Sequence, residues 1–285
     1  MRVGRIPYIN CYPVYGALDR GIVPFAGELV DGVPTTLNRL MAEGTLDVSV
    51  VSAVEYARDW ERYLLLPDLA ISCDGPVQSV MLFSERPAHE LDGQEVIVSR
   101  SSMTSVSLLE LLFAHVWHAT PRFVAGDAEA ADLTNAGGNY APARLVIGDA
   151  ALMLRSGTIR PAGLAGETRS YTYQYDLGDE WKQWTGLPFV FAVWVAQRTA
   201  DTAKALAVHA ALIESRNWGL AHLDLLAQQA ADRSGVSSAA CLEYLSGLDY
   251  GFSYPHLGGL TEFYRRLTLA GKVAPGRLAF LNPAA

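Results

Sequence analysis

The chain has few cysteines and no long hydrophobic run, and each shortage excludes a class of protein. Three cysteines, Cys11, Cys73 and Cys241, lie far apart among 285 residues, form no CxxC pair and leave one thiol over however they pair. We therefore expect reduced thiols with a structural role. No apolar run reaches the roughly 20 residues that a membrane helix needs, so we expect no membrane partner.

Charge is also scarce, and it is predominantly acidic. Charged residues make up 18% of the chain, and the formal net charge is −8. A nucleic-acid surface would need a basic face, so we expect no nucleic-acid partner, and an anionic ligand would have to be held by local donors. A candidate strand follows Met1 almost at once, without a basic and apolar leader, which favours a cytoplasmic protein.

Familiar catalytic motifs are missing from the sequence. It contains no GxSxG elbow, no Walker loop, no HExxH and no dinucleotide-binding fingerprint. His115 and His118 lie three residues apart on one predicted helix, but no third metal ligand follows nearby. We therefore predict neither a metal site nor a cofactor.

Strands and helices alternate along most of the chain. The pattern predicts an α/β protein with mainly parallel sheets, whose ligand site lies at the carboxyl ends of the strands. A polar, turn-rich break follows Ser84, and the apolar run 187–198 predicts a returning strand. We predict a first lobe formed by residues 1–85 and 190–285, an inserted second lobe formed by residues 86–189, and a ligand cleft between them.

Asn10 is the first candidate site residue. It follows the first predicted strand and precedes Pro13, which suits an early helical position. An amide both donates and accepts hydrogen bonds without carrying charge, so Asn10 would orient a polar substrate. Capping of the following helix is the alternative role.

The segment VSRSSMTSVSLLELL predicts an anion site. A strand delivers Ser101, Thr104 and Ser105 to the start of a helix, where hydroxyls and free backbone N–H groups would hold a carboxylate. Capping of the helix by Ser102 or Thr104 is the alternative interpretation.

Two further segments supply polar groups at strand ends. Gln78 and Ser79 precede an apolar run, and they either contact the ligand or simply form the edge of a strand. In LVIGDAAL, Gly148 would allow close approach of the backbone, and Asp149 would accept a ligand hydroxyl or cap the helix. The aromatic residues between positions 171 and 184 favour packing over a cofactor site.

Several motifs together resemble one enzyme family. RIPYINCYPVYGAL, VVSAVEYARD, LLPDLAISCDGPVQSVMLFS, SSMTSVSLLELL, LVIGDAALM and YDLGDEWKQWTGLPFVFAVWVAQR occur in this order over roughly the first 200 residues. This set is similar to the chorismate dehydratases of the futalosine route to menaquinone. The dihydroxynaphthoate synthases of the same pathway carry a Cys-Pro-Asn-Asp type first loop, whereas this chain has Tyr-Ile-Asn-Cys-Tyr-Pro.

The resemblance implies a fold like type II periplasmic binding proteins and dehydration of chorismate to 3-[(1-carboxyvinyl)oxy]benzoate. The product ring is aromatic, so the protein mainly needs to position groups and stabilise charge, without a cofactor. For the ring proton, we favour the substrate's own enolpyruvyl carboxylate as acceptor, with Asn10 orienting it; Asp149 and Glu55 are the alternative bases. The rival functions are non-catalytic binding of a small carboxylate and the sister synthase activity.

Overall fold

Two five-stranded sheets form the framework of the two lobes. The structure is a computed structural model that describes residues 1–100, 102–126, 141–160 and 171–282. Each sheet carries its own helices, and the chain passes from the first sheet to the second and back. The predicted α/β, two-lobed architecture is confirmed.

The first sheet has the strand order β2-β1-β3-β10-β4. Its strands are β1 (Arg2–Arg5), β2 (Glu28–Asp31), β3 (Val48–Ser52), β4 (Tyr63–Cys73) and β10 (Phe189–Gln197). Strand β1 is parallel to β2 and β3, whereas β10 runs antiparallel between β3 and β4. The predicted returning strand is therefore a central strand of the first sheet.

The second sheet has the strand order β7-β6-β8-β5-β9. Its strands are β5 (Val80–Ser84), β6 (Glu95–Ser99), β7 (Arg122–Gly126), β8 (Ala143–Ile147) and β9 (Tyr173–Asp176). Strand β6 is parallel to β7 and β8, and β5 runs antiparallel between β8 and β9.

Helices connect the strands and complete the first lobe. Helices α1 (Tyr12–Asp19), α2 (Pro34–Ala42) and α3 (Ala53–Asp59) follow strands of the first sheet, and α4 (Thr104–Leu112), α5 (Gly148–Arg155) and α6 (Leu177–Thr185) follow strands of the second. The C-terminal helices are α7 (Thr202–Ala221), α8 (Leu223–Ser234), α9 (Ser238–Ser246) and α10 (Tyr254–Leu269). Single turns lie at Ile9–Cys11, Ala88–Glu90 and Phe113–Trp117.

The order of the sheets corrects one predicted boundary. The sequence interpretation put residues 80–84 in the first lobe, but β5 pairs with two strands of the second sheet. The break after Ser84 is a turn inside the second lobe, where the Glu85 N–H donates to the Pro142 carbonyl at 2.9 Å. The chain therefore changes sheets between Cys73 and Val80.

Burial explains the remaining sequence features. All five residues of β3 and all five of β5 are buried, as expected for strands covered on both faces. The three cysteines are free and buried, as predicted. Trp181 of α6 is also buried and meets Phe189 and Phe263 edge-on, so this aromatic stretch packs the junction between the lobes.

Candidate active site

A cavity of about 60 Å³, partly open to solvent, lies between the two sheets. It collects residues that follow the carboxyl ends of β1, β3, β6 and β8, where ligands bind in such folds. The lining residues are Ile6, Tyr8, Asn10, Pro34, Ser52, Ile71, Ser79, Val80, Ser102, Thr104, Ser105, Ile147, Gly148, Phe191 and Ala192. Both lobes therefore contribute walls.

Five of the predicted site residues line this cavity: Asn10, Ser79, Thr104, Ser105 and Gly148. They come from four separate segments of the chain, so the fold brings together what the sequence only suggested. Ser101 lies outside the described residues. The two remaining candidates, Gln78 and Asp149, do not belong to the lining.

Asn10 lies in the 3-10 turn Ile9–Cys11, between β1 and α1. The N-cap of α1 is Cys11, and no side chain caps that helix end, so the capping alternative for Asn10 is wrong. The Asn10 Oδ1 atom is buried and has no hydrogen-bond partner among the described residues. A buried acceptor without a partner is costly, and a donor on a bound molecule would relieve that cost.

The hydroxyls of Ser79 and Thr104 both accept hydrogen bonds from outside the cavity. The Tyr244 hydroxyl donates to Ser79 Oγ at 2.9 Å, and the Val54 N–H donates to Thr104 Oγ1 at 3.2 Å. A hydroxyl that accepts from the protein is left with its own proton for another acceptor. Thr104 can therefore donate towards the cavity, whereas the Ser79 hydroxyl also has a long hydrogen bond of 3.4 Å to the Val77 carbonyl, which a ligand would have to replace.

The hydroxyl oxygens of Ser105 and Ser52 also accept hydrogen bonds from other protein side chains. The Ser102 hydroxyl donates to Ser105 Oγ at 2.8 Å while accepting from the Ser105 N–H at 3.2 Å, so Ser102 supports the start of α4. Across the cavity, the Asn38 amide donates to Ser52 Oγ at 2.6 Å. The four hydroxyl residues Ser52, Ser79, Thr104 and Ser105 are at most 5% exposed, so water competes little for them.

Position 148 favours glycine because its backbone has a positive φ and because a side chain there would crowd Tyr8. Its φ is +62°, and a Cβ there would lie 3.1 Å from the ring of Tyr8. The expected close approach is therefore to Tyr8 of the other lobe, which closes one side of the cavity. Tyr8 and Ser52 were not predicted as site residues, although Tyr8 follows β1 and Ser52 is the last residue of β3.

Gln78 and Asp149 point elsewhere. Gln78 has a φ of +61°, and its side-chain oxygen accepts from Arg155 at 2.7 Å. Asp149 Oδ1 accepts from the Ile9 N–H at 2.9 Å, and the Arg233 guanidinium lies 3.9 Å from Oδ2. Asp149 therefore binds the turn that carries Asn10, and it does not cap its own helix.

The cavity wall is mainly apolar, with a few polar groups and no charged side chain among the described lining residues. No Asp, Glu, His, Lys or Arg occurs among the described residues that line it. The first residues of α2, α4 and α5, namely Pro34, Thr104 and Gly148, contribute to the wall, so the positive ends of three helix dipoles face the same space. Such a site favours an anion that also has an apolar body, because apolar residues, among them Ile6, Ile71 and Phe191, form much of the wall.

A comparison with family models identifies the family. The model described as menaquinone biosynthesis matches residues 1–268, which is nearly the whole chain. The chain belongs to this menaquinone biosynthesis family. The resemblance seen in the sequence motifs is thereby confirmed at the level of the family.

Individual relatives agree with this assignment. The chain is 34% identical over 248 residues to a curated chorismate dehydratase of Thermus thermophilus, covering 85% of this chain and 87% of the relative. A solved protein of Archaeoglobus fulgidus is 19% identical with a TM-score of 0.73, covering 95% of this chain and 98% of that one.

Solved binding proteins share the fold of this family member. The alkanesulfonate-binding protein of Xanthomonas axonopodis pv. citri, bound to MOPS, is 16% identical with a TM-score of 0.64, covering 100% of this chain and 96% of that one. The predicted periplasmic-binding-protein-like fold is confirmed by this likeness. Within the described part of the chain, no helix is both long and apolar enough to span a membrane.

Proposed function

We propose that this protein is a chorismate dehydratase, which removes water from chorismate to give 3-[(1-carboxyvinyl)oxy]benzoate. The observation that carries the proposal is a cavity of buried hydroxyl donors, built from the predicted motifs, in a chain 34% identical to a chorismate dehydratase. Chorismate carries one carboxylate on a six-membered ring and a second on its enolpyruvyl side chain, which matches neutral donors beside an apolar wall. Loss of its ring hydroxyl and a ring hydrogen creates an aromatic ring.

The ring carboxylate would bind at the start of α4. Thr104 and Ser105 present donor hydroxyls there, and the N-terminus of the helix favours negative charge. Removal of the ring proton spreads negative charge into this carboxylate. Donors already fixed in place stabilise such a developing charge without reorganising, which lowers the barrier.

The proton acceptor would be the substrate's own enolpyruvyl carboxylate. Glu55 accepts from the Tyr63 hydroxyl at 3.2 Å in the first lobe, and Asp149 binds Ile9, so neither alternative base lines the cavity. In the reaction the C–H bond breaks, its electron pair joins the ring π system, and the C–O bond breaks. The departing hydroxide takes a proton from the carboxylic acid just formed, which gives water and restores the carboxylate.

Asn10 would hold the substrate in the reactive conformer. Its buried Oδ1 needs a donor, and the ring hydroxyl is the donor that the chorismate dianion offers. Its amide N–H groups can at the same time donate to an enolpyruvyl carboxylate oxygen. One neutral side chain therefore bridges the leaving group and the proton acceptor, which favours a geometry near that of reaction.

The test is incubation of purified, metal-free protein with chorismate, following the product by chromatography and absorbance. We expect conversion, and we expect Thr104→Ala and Ser105→Ala each to lower kcat/KM by roughly 10- to 100-fold, as for a lost hydrogen bond to a charged group. Ser156→Ala is the matched control, because Ser156 is exposed and bonds only locally to Met153 and Thr158.

Two other outcomes would contradict the proposal. Chorismate that binds but persists would favour non-catalytic binding of a small carboxylate, since solved proteins of this fold include a ligand-binding component of an import system and an alkanesulfonate-binding protein. Chorismate that does not bind would favour the sister synthase activity, and later intermediates of the futalosine route would then be assayed. Unchanged rates in both hydroxyl variants would remove the assigned carboxylate site.

A further inference from the structure

Tyr244 lies outside the cavity but is connected to it through one hydrogen bond. It belongs to α9, in the C-terminal part of the chain, whereas Ser79 precedes β5 of the second sheet. The Tyr244 hydroxyl donates to Ser79 Oγ at 2.9 Å, and both residues are 2% exposed. Tyr244 thus contacts a wall residue of the candidate active site, although the two residues are 165 positions apart in sequence.

The direction of this hydrogen bond decides what Ser79 can do. Because Ser79 Oγ accepts from Tyr244, the serine proton cannot point at the phenol and must point elsewhere. In the structure the Ser79 hydroxyl donates to the Val77 carbonyl at 3.4 Å, and that carbonyl also accepts from the Ser79 N–H at 2.8 Å. This is a long hydrogen bond, so an anion in the cavity would compete for the proton successfully.

The phenol is suited to act as a fixed donor. Burial raises the pKa of Tyr244 far above its usual value, so the hydroxyl keeps its proton. A hydroxyl that accepts one hydrogen bond becomes a better donor in the next, because the two bonds polarise each other. Tyr244 therefore strengthens the Ser79 hydroxyl as well as orienting it.

We propose that Tyr244 is a positioning residue for substrate binding, whose hydroxyl fixes Ser79 as a donor to the anionic ligand. This role rests on the proposed function for its substrate. Tyr244 itself lies behind Ser79 and does not line the cavity. A purely structural alternative is that the two hydroxyls merely satisfy each other in the core.

The test is a double-mutant cycle with Tyr244→Phe, Ser79→Ala and the combined variant. We expect each single variant to lower kcat/KM for chorismate by about tenfold, as for one weakened hydrogen bond to a charged group. Since Tyr244 acts through Ser79, the combined variant should be no slower than Ser79→Ala alone. An additive cycle, with about a hundredfold loss, or an unchanged rate in Tyr244→Phe would overturn the role.

Tyr250→Phe is the matched control. Tyr250 is also 2% exposed, and its hydroxyl has no hydrogen-bond partner among the described residues. Its replacement removes the same atom from the same kind of surroundings, so we expect turnover to stay as in the wild type. A loss as large as that of Tyr244→Phe would mean that any buried tyrosine change perturbs the lobe, which would overturn the specific role.

A second readout separates this role from the proposed function. The same cycle is measured by calorimetric binding of benzoate, a ring carboxylate that cannot be dehydrated. If the wild type binds benzoate with the expected non-additive cycle but does not convert chorismate, the dehydratase proposal fails and the positioning role stands. If the wild type converts chorismate but the cycle is additive, the positioning role alone fails, and if it does neither, both fail.

Discussion

Glu55 shows how a single buried acid couples stability to pH. Its side chain is 7% exposed and has the Tyr63 hydroxyl as a hydrogen-bond donor. Burial raises the pKa of this carboxyl above its ordinary value of 4.5, although the Tyr63 hydrogen bond opposes the shift. In the unfolded chain the same group ionises at its ordinary pKa. The folded state therefore binds more protons than the unfolded state between these two pKa values.

The expected result is that Glu55→Gln stabilises the protein at neutral pH. Stability falls as pH rises through the window where the folded state holds the extra proton, and the full loss is present above the raised pKa. Glutamine removes the ionised form and still accepts from Tyr63. Its Tm should exceed that of the wild type at pH 7, and the difference should vanish below about pH 4, where the wild-type carboxyl is also neutral.

Thermal unfolding over a range from below pH 4 up to pH 8 measures this difference. Glu43→Gln serves as the control, because Glu43 is largely exposed and pairs with Arg39 one helical turn away. Its effect on Tm should be small at every pH. A Glu55→Gln variant that is less stable than the wild type at pH 7 would show that the carboxylate is favourable in the core.

At the scale of elements, Asp149 connects the start of α5 to the turn that carries Asn10. Its Oδ1 atom accepts from the Ile9 N–H at 2.9 Å, and the two residues belong to different lobes. Asp149→Asn retains an oxygen for this hydrogen bond, whereas Asp149→Ala removes it. For a positioning role, we expect Asn to keep kcat within about threefold and Ala to lower it by about tenfold.

A general base would behave differently in the same pair of variants. Both would then lose about 100-fold or more, because asparagine cannot accept the ring proton. Steady-state kinetics across pH distinguishes the two outcomes, since loss of a base also removes its titration from the rate profile. Asp224→Ala is the control, because Asp224 also lies in the first turn of a helix, α8, but is exposed.

The difference between Asp149 and Thr104 shows what the sequence could predict. Thr104 was found because a strand end followed by a helix start is a local pattern, and its position in the cavity follows from the sheet order. Asp149 has the same local pattern, but its partner Ile9 is 140 residues away. Whether such a side chain faces the cavity or binds the other lobe depends on how the lobes pack. A local sequence pattern does not contain that information.

The lack of information on long-range packing also explains why the sheet that contains β5 and the orientation of Gln78 were not predicted. An apolar run predicts a buried strand, but does not specify which of two sheets receives it. The antiparallel pairing of β5 with β8 decides this, and it turns Gln78 towards Arg155 and Ser79 towards the cavity. The sequence therefore predicted the fold and five cavity residues, and lacked the pairings that select among neighbours.

At the scale of the molecule, Asp176 ties together the two connections between the lobes. It ends β9 and caps α6, and its carboxylate accepts from the N–H groups of Gly178 and Asp179. The same carboxylate accepts from Val77 at 2.9 Å and Gln78 at 2.6 Å, in the outgoing connection. One side chain therefore joins the path into the second lobe to the path out of it.

We expect Asp176→Ala to loosen both connections at once and to lower the free energy of unfolding by roughly 2–4 kcal/mol, because several buried N–H groups lose a charged acceptor. Urea unfolding measures the stability, and amide hydrogen exchange locates the change. Asp201→Ala is the control, since Asp201 caps α7 through the Lys204 N–H and should have a clearly smaller effect.

Faster exchange should appear in residues 74–79 and 177–186 together, because a shared acceptor protects both segments. Faster exchange confined to the start of α6 would instead mean that Asp176 is an ordinary helix cap and that the two connections move independently. In that case a ligand that closes the cavity would need to order each connection separately. If both segments respond, one carboxylate sets the stiffness of the joint between the lobes.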